Sequence, residues 1–278
     1  PPNPDFILGP HHPPNFINQP FAAVVYAGRP TSINSANGLA PETIHAQGLL
    51  IPIKKADRDL TQKAVMLDVK NDSERNMDIE FHWDPGSTNT YFAWHLLKPI
   101  ARNYGARIRP HCFNLGYVFR QNRYALTDEP IAKMRNRKRD LMRWAAHYER
   151  PFRIPERFPI KTSRILRAAV AMRAWNQEAA FIDAVMTQYW EQNNDSIAED
   201  DGLVALAQQL SIPETPFRAA LTADETGRTV VNETQSGLDR GVFGAPTIVI
   251  EDEIYWGKDR MEFIARHLKT GQSQLASN

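Results

Sequence analysis

The stretch that most constrains this chain lies near its carboxyl end, from Gly241 to Arg260, and reads GVFGAPTIVIEDEIYWGKDR. A Gly-Ala-Pro-Thr segment leads into residues 247–250 (TIVI), a short β-branched run typical of a buried strand. After an acidic turn, a second strand is predicted at residues 254–256, and Gly257 ends it. Residues 258–260 (KDR) then open a helix, so the stretch predicts a strand–strand–helix unit.

Pro246 stands at the mouth of the first of these strands, where a proline is unusual because it donates no hydrogen bond to the ladder. It is tolerated there when the Ala245–Pro246 bond is cis, which turns the preceding carbonyl and amide outward, where they can pair with a ligand. The alternative is a trans proline at an ordinary strand start.

A second regular unit begins earlier in the chain. Residues 78–83 alternate apolar and polar side chains, which is typical of a half-buried strand. A turn at residues 84–86 follows, and Ser87 or Thr88 can cap the helix that comes next. Residues 107–113 are predicted as the second strand, which completes a right-handed βαβ unit.

The segments Gly-Val-Phe-Gly-Ala-Pro-Thr and Trp-Gly-Lys-Asp-Arg resemble the C-terminal signature of 2-hydroxychromene-2-carboxylate isomerases. They also resemble the related kappa-class glutathione transferases, which have a thioredoxin fold with a helical insert. The resemblance covers about Asp78 to Leu268. It implies a cytoplasmic homodimer in aromatic catabolism, a glutathione-dependent isomerase of a 2-hydroxychromene-2-carboxylate-like aryl-pyruvate. Glutathione thiolate would add to the substrate, allow a bond to rotate, and leave again.

Between the two regular units, from about residue 127 to 222, the pattern is helical almost throughout. Apolar stripes with a 3.6-residue period run through residues 139–148, 165–175 and 178–190. The order of elements predicts an α/β, thioredoxin-like fold: a βαβ unit, a large all-helical insert, then a ββα unit. We divide it into a thioredoxin-like domain of residues 77–126 and 223–278 and an insert domain of residues 127–222.

Ser87 lies where a strand delivers the chain to a helix N-terminus, a place that favours a bound anion. In thioredoxin-like oxidoreductases this turn carries Cys-x-x-Cys, but here Ser87 and Thr90 occupy the two sulfur positions. Disulfide exchange is therefore excluded, whereas the Ser87 hydroxyl can donate to an external thiolate. The alternative is that Ser87 merely caps the helix.

The resemblance implies a set of glutathione contacts around this turn. Ser87 is its catalytic residue, although Thr88 stands where the family usually has proline. The Ala245 backbone would pair with the cysteinyl backbone, and Asp259 with the γ-glutamyl end, unless Asp259 only caps its helix. The full set is Ser87, Asn122, Ala245, Pro246, Gly257, Lys258, Asp259 and Arg260.

Charge and composition exclude several function classes. Because the chain has 33 Lys and Arg residues and 32 Asp and Glu residues, its net charge creates no field that attracts nucleic acid or an anionic membrane. A basic run, residues 133–143, is expected to be a solvated helix face; alternatively, one or two members hold the substrate carboxylate. The pair His11-His12 has no carboxylate or thiol nearby, so no metal site is predicted. The single cysteine, Cys112, suits a reducing cytoplasm.

Two other functions stay open at this point. A kappa-like glutathione transferase would consume glutathione by releasing a conjugate. A redox-inactive thioredoxin-fold module would hold a thiol peptide without turnover, although the joint presence of Ser87, Pro246 and Asp259 argues against it.

Residues 1–76 differ from the rest, because they contain ten of the 20 prolines and sustain no helical or strand period. We expect Met77 to be the natural start, with residues 1–76 being translated upstream sequence or a disordered extension. The alternative is an arm in which residues 21–26 and 49–53 pack on the domain or on a second subunit.

A fragment of residues 77–278 is therefore expected to fold cooperatively, with the same melting temperature as the full chain. A segment so poor in periodic apolar residues does not offset an ordering cost of about 1–2 kcal/mol per residue. Limited proteolysis with N-terminal sequencing should leave a resistant core that begins near Asp78. A melting temperature several degrees lower for the fragment would show that the extension is structural.

Overall fold

The computed structural model describes residues 77–124 and 129–271. Both hypotheses for residues 1–76 concern residues outside this part of the chain. In the described ranges, no helix is long and apolar enough to cross a membrane.

The described chain is mostly helical around one small sheet. Its strands are β1 (Asp78–Trp83), β2 (Arg107–Cys112), β3 (Thr247–Ile250) and β4 (Glu253–Trp256). Its α-helices are α1 (Thr88–Asn103), α2 (Leu115–Gln121), α3 (Ile131–His147), α4 (Ser163–Met172), α5 (Glu178–Met186), α6 (Asp200–Gln209), α7 (Glu214–Thr222), α8 (Asp224–Asp239) and α9 (Met261–Thr270). Shorter helical turns occupy Arg173–Trp175, Thr187–Glu191, Asp195–Ala198 and Lys258–Arg260.

The sheet has the strand order β2-β1-β3-β4. Strand β1 runs parallel to β2 and antiparallel to β3, and β3 runs antiparallel to β4. This is the arrangement that a βαβ unit followed by a ββα unit produces, so the predicted thioredoxin-like fold is confirmed. In the β1–β3 register His82 lies opposite Thr247, which brings the end of β1 to the start of β3. The turn after β1 and the loop before β3 therefore meet at one edge.

Burial explains why these segments form the strands. In β1 the apolar side chains of Ile79, Phe81 and Trp83 are fully buried, and all four residues of β3 are buried. Strand β2 contains Pro110, which is compatible with its position at the edge of the sheet. The two central strands therefore carry the apolar residues, as the sequence pattern predicts.

The helical insert shares its core with the sheet. One buried cluster includes Phe81 of β1, Trp94 of α1 and Phe181 of α5. The Trp94 indole N–H donates to the Asp183 carboxylate at 2.6 Å, so even the polar edge of this aromatic ring has a partner from the insert. Packing against the insert therefore fixes the outer face of α1.

Several boundaries differ from the predictions. Helix α3 begins at Ile131, eight residues before the predicted stripe, because its first turns are exposed and carry no apolar period. Helix α2 was not predicted. Residues 258–260 do not open α9 but form a separate turn, since Asp259 has non-helical dihedral angles (φ −98°, ψ 18°).

An ionic network joins the insert to the sheet. The Arg173 guanidinium donates to Glu178 at 2.7 Å and to Glu233 at 2.5 Å. The Cys112 amide at the end of β2 donates to Glu233 at 2.7 Å. Because both carboxylates are largely buried, Arg173 balances two charges that water reaches poorly.

Replacing this arginine, Arg173→Met, is expected to lower the free energy of unfolding by about 2–4 kcal/mol, because it strands two buried carboxylates. The matched control is Arg157→Met, since Arg157 is 53% exposed and lies 3.6 Å from Asp195. Urea unfolding of both variants measures the difference. Equal losses in the two proteins would contradict a structural role for the network.

Candidate functional site

Ser87 lies at the N-terminus of α1, and its side chain makes two hydrogen bonds there. Its side-chain oxygen accepts from the Thr90 amide at 3.3 Å, which is the helix cap that the sequence predicts. Its hydroxyl also donates to the Ala245 carbonyl at 2.9 Å, across 158 positions of sequence. Ser87 is therefore a helix cap and also the link between the βαβ and ββα units.

The loop before β3 presents its backbone to this serine. The Ala245–Pro246 bond is cis, so this expectation is confirmed. The Thr247 hydroxyl donates to the Gly244 carbonyl at 2.7 Å and holds the loop closed. A side chain at Gly244 would have to displace the Trp256 ring, because an added Cβ would lie 2.9 Å from the indole nitrogen. Among the described residues, the Ala245 amide finds no acceptor, so it is available to a ligand.

The turn of residues 257–260 is attached to the same loop. The Gly257 amide donates to the Pro246 carbonyl at 3.0 Å, and its φ of 102° is one that glycine readily adopts. Lys258 points inward and is only 6% exposed. Asp259 and Arg260 are partly exposed and pair with each other at 3.0 Å.

Hydrogen bonds thus connect Ser87, Ala245, Pro246 and Gly257 into one group. Asn122 stays apart: it is exposed at the end of α2, where its amide donates to the Val118 carbonyl at 3.0 Å. Its contact with glutathione remains a prediction.

The chain's own thiol is not part of this group. Cys112 is fully buried, and burial raises the pKa of its thiol well above the ordinary value. The Thr90 hydroxyl, at the second sulfur position of the redox motif, is buried and unpaired. Any thiolate at Ser87 must therefore come from a bound molecule.

Asp84 is a buried residue of the site, although the sequence pattern predicted only a turn at this position. Its carboxylate accepts from the Gly86 amide at 2.7 Å, the Leu115 amide at 2.9 Å and the Thr162 hydroxyl at 2.9 Å. Burial raises its pKa from the ordinary 3.8 to about 6, against these three hydrogen bonds. The one signal in the sequence was an acidic residue directly after an apolar strand.

Residues of the helical insert also form hydrogen bonds with the Ser87 turn. The Trp190 indole N–H donates to the Pro85 carbonyl at 3.0 Å. Together with the Thr162 contact, this bond holds the turn from the insert side. The orientation of Ser87 therefore depends on residues from both parts of the chain.

The basic run lies on the exposed side of α3, as expected for a solvated face. Lys133 and Arg137 pair with Glu129, and Arg143 lies 3.5 Å from Asp140. Three cations of the run are therefore engaged by carboxylates of the chain itself.

The fold is that of a thioredoxin-like protein. The sequence profile of the DSBA-like thioredoxin domain matches residues 78–269, and the chain belongs to this family. A 2-hydroxychromene-2-carboxylate isomerase from Sphingobium xenophagum is 31% identical over 204 residues, covering 68% of this chain and 97% of the relative. Another, from Pseudomonas putida, is 29% identical over 194 residues, covering 66% and 91%. A solved 2-hydroxychromene-2-carboxylate isomerase has a TM-score of 0.59 at 24% identity, covering 70% of this chain and 95% of that one.

The Asp84 carboxyl predicts a pH dependence of stability. Because its folded pKa is raised, the folded state binds a proton that the unfolded chain releases, so stability falls as pH rises from about 4 to about 7. At about 1.4 kcal/mol per pKa unit, the loss approaches about 3 kcal/mol.

The variant Asp84→Asn cannot ionise, so its stability relative to wild type should rise by that amount across the same range. The hydrogen bonds that the variant loses lower its free energy of unfolding by the same amount at every pH. Both proteins contain the same histidines, so their contribution cancels in the difference. Urea unfolding at a series of pH values measures the gap. Parallel pH profiles would show that Asp84 does not titrate in this range.

Proposed function

We propose that this protein is a glutathione-dependent isomerase of a 2-hydroxychromene-2-carboxylate-like aryl-pyruvate. The isomerase name of its curated relatives supports the reaction class. The observation that carries the glutathione part is the Ser87 hydroxyl at a helix N-terminus, bonded to the carbonyl of Ala245. This arrangement suits a thiol supplied from outside the chain.

The residues present fit a thiol tripeptide. The free Ala245 amide is a donor for a ligand backbone carbonyl, in the manner of strand addition. The Asp259 carboxylate pairs with Arg260 at 3.0 Å, but its side chain is 48% exposed, which leaves room for a ligand ammonium group as a further partner. Both groups are attached to the loop that also contacts Ser87.

Bound glutathione would supply a thiolate that adds to the unsaturated carbon of the substrate and leaves after bond rotation. Ser87 would stabilise the anionic sulfur by donating a hydrogen bond from its hydroxyl, which requires this hydroxyl to turn away from the Ala245 carbonyl. The N-terminus of α1 adds the field of its free amides. Asp84 holds the turn in place through the Gly86 amide.

An aromatic substrate has apolar surface available beside the loop. Phe243 and Trp256 are 57% and 51% exposed, and their ring centroids lie 5.2 Å apart. Exposed aromatic pairs of this kind often mark binding surfaces. By the same proposal the enzyme acts as a cytoplasmic homodimer, an assignment that rests on the resemblance.

The proposal is tested by following the absorbance of a benzylidenepyruvate with and without glutathione, and by measuring glutathione afterwards. The isomerase requires glutathione and returns all of it. Stoichiometric loss of glutathione would identify a transferase instead. Binding of glutathione without turnover of any benzylidenepyruvate would identify a binding module.

We expect Ser87→Ala to keep the fold and to lower turnover by about ten- to a hundredfold, the value of one hydrogen bond to a charged group. The matched control is Thr90→Val, which removes a hydroxyl of the same turn that has no partner. The absorbance assay measures both variants. Full activity of Ser87→Ala would remove this serine from the reaction.

A further inference from the structure

Lys258 is a buried cation without an anionic partner. The residue is 6% exposed, and within residues 77–124 and 129–271 its ammonium takes part in no ion pair. The carboxylates that act on it are engaged elsewhere: Asp259 binds Arg260 at 3.0 Å, and Asp140 accepts from the Trp144 indole at 3.0 Å. The side chain is buried along its length while its charge has no anion of its own in the described chain, so the ammonium is available to an anionic ligand.

The contact that the ammonium does make is with an aromatic ring. The Lys258 Nζ atom lies 4.1 Å from the centroid of the Trp144 ring, a cation–π geometry. Trp144 in turn stacks on Tyr148, with centroids 5.2 Å apart and an interplanar angle of 21°. Both rings belong to the end of α3 and are partly exposed. The insert therefore places an aromatic wall beside the buried charge.

The backbone next to Lys258 is linked to the Ser87 site by two hydrogen bonds. The Gly257 amide, one residue before Lys258, donates to the Pro246 carbonyl at 3.0 Å. The preceding carbonyl, that of Ala245, accepts from Ser87 at 2.9 Å. The Lys258–Arg260 turn also packs on α1, the helix that Ser87 caps.

We propose that the Lys258 ammonium and the Trp144 ring form a subsite for the carboxylate of the aromatic oxo-acid substrate. The inference rests on the proposed function and deepens it. The resemblance places Lys258 among the glutathione contacts, and the γ-glutamyl end of glutathione also carries a carboxylate. The Trp144 and Tyr148 rings beside the ammonium favour instead a ligand whose carboxylate is joined to an aryl group. The exposed basic residues of α3 are then not the substrate's anchor.

The test is direct calorimetric binding to the full chain, with benzylidenepyruvate and with benzylideneacetone, which lacks the carboxylate. Lys258→Met should weaken benzylidenepyruvate binding by about ten- to a hundredfold and leave benzylideneacetone binding unchanged. The matched control is Lys138→Met, which removes an exposed cation of α3 and should change neither affinity.

A second variant, Trp144→Leu, keeps the charge and removes the ring, so it should weaken both arylidene ligands. Circular dichroism melting confirms that each variant is folded. Equal effects of Lys258→Met on the two arylidene ligands would overturn the subsite.

Glutathione and cysteinylglycine distinguish the second source of a carboxylate. A loss with Lys258→Met that is confined to glutathione, and absent for cysteinylglycine, would move Lys258 to the γ-glutamyl carboxylate and overturn the substrate assignment. Because binding is measured without turnover, benzylidenepyruvate that binds through Lys258 but is not isomerised would overturn the proposed function and leave the subsite standing.

Discussion

A hydrogen bond from the Ser87 hydroxyl to the Ala245 carbonyl joins two segments that lie 158 positions apart, at the place where the two halves of the site meet. It forms because β1 and β3 are adjacent and antiparallel, with His82 opposite Thr247. The turn that leaves β1 and the loop that enters β3 are then neighbours. A helix N-terminus and an unpaired backbone amide are presented together as a consequence.

The site is held in place from both parts of the chain. Asp84 ties the Ser87 turn to α2 and to Thr162, and Trp190 donates to the carbonyl of Pro85. On the other side of the loop, Trp144 covers the ammonium of Lys258. The helical insert therefore does more than cover the sheet, because it helps to set the orientation of the Ser87 turn and of Lys258. A substitution in the insert can change binding without touching Ser87.

Under the proposed function, the arrangement accounts for a thiol that is supplied from outside the chain. The chain keeps the field of the α1 N-terminus, which stabilises thiolates in the redox members of the fold. It has an oxygen at both sulfur positions, and its one cysteine is buried in the core. What remains is a helix N-terminus of the redox type that has no thiol of its own.

The strands, the cis bond at Pro246 and the helical insert could be predicted, because alternating residues and the Gly-Ala-Pro-Thr segment are local signals. The role of Asp84 could not, since two of its partners lie 31 and 78 positions away. Lys258 was expected only as one of the glutathione contacts, and its place beside Trp144 of α3 could not be foreseen, because that contact joins segments far apart in the sequence. The first turns of α3 could not be predicted either. They are exposed to solvent, and a solvated helix carries no apolar period.

The central claim is that this turn lowers the pKa of an external thiol. Ultraviolet absorption of the thiolate, titrated with pH for glutathione bound to the protein, measures this pKa directly. The account predicts a midpoint at or below neutral pH, compared with about 8.5 for a free thiol. A bound thiol that titrates like the free one would contradict it.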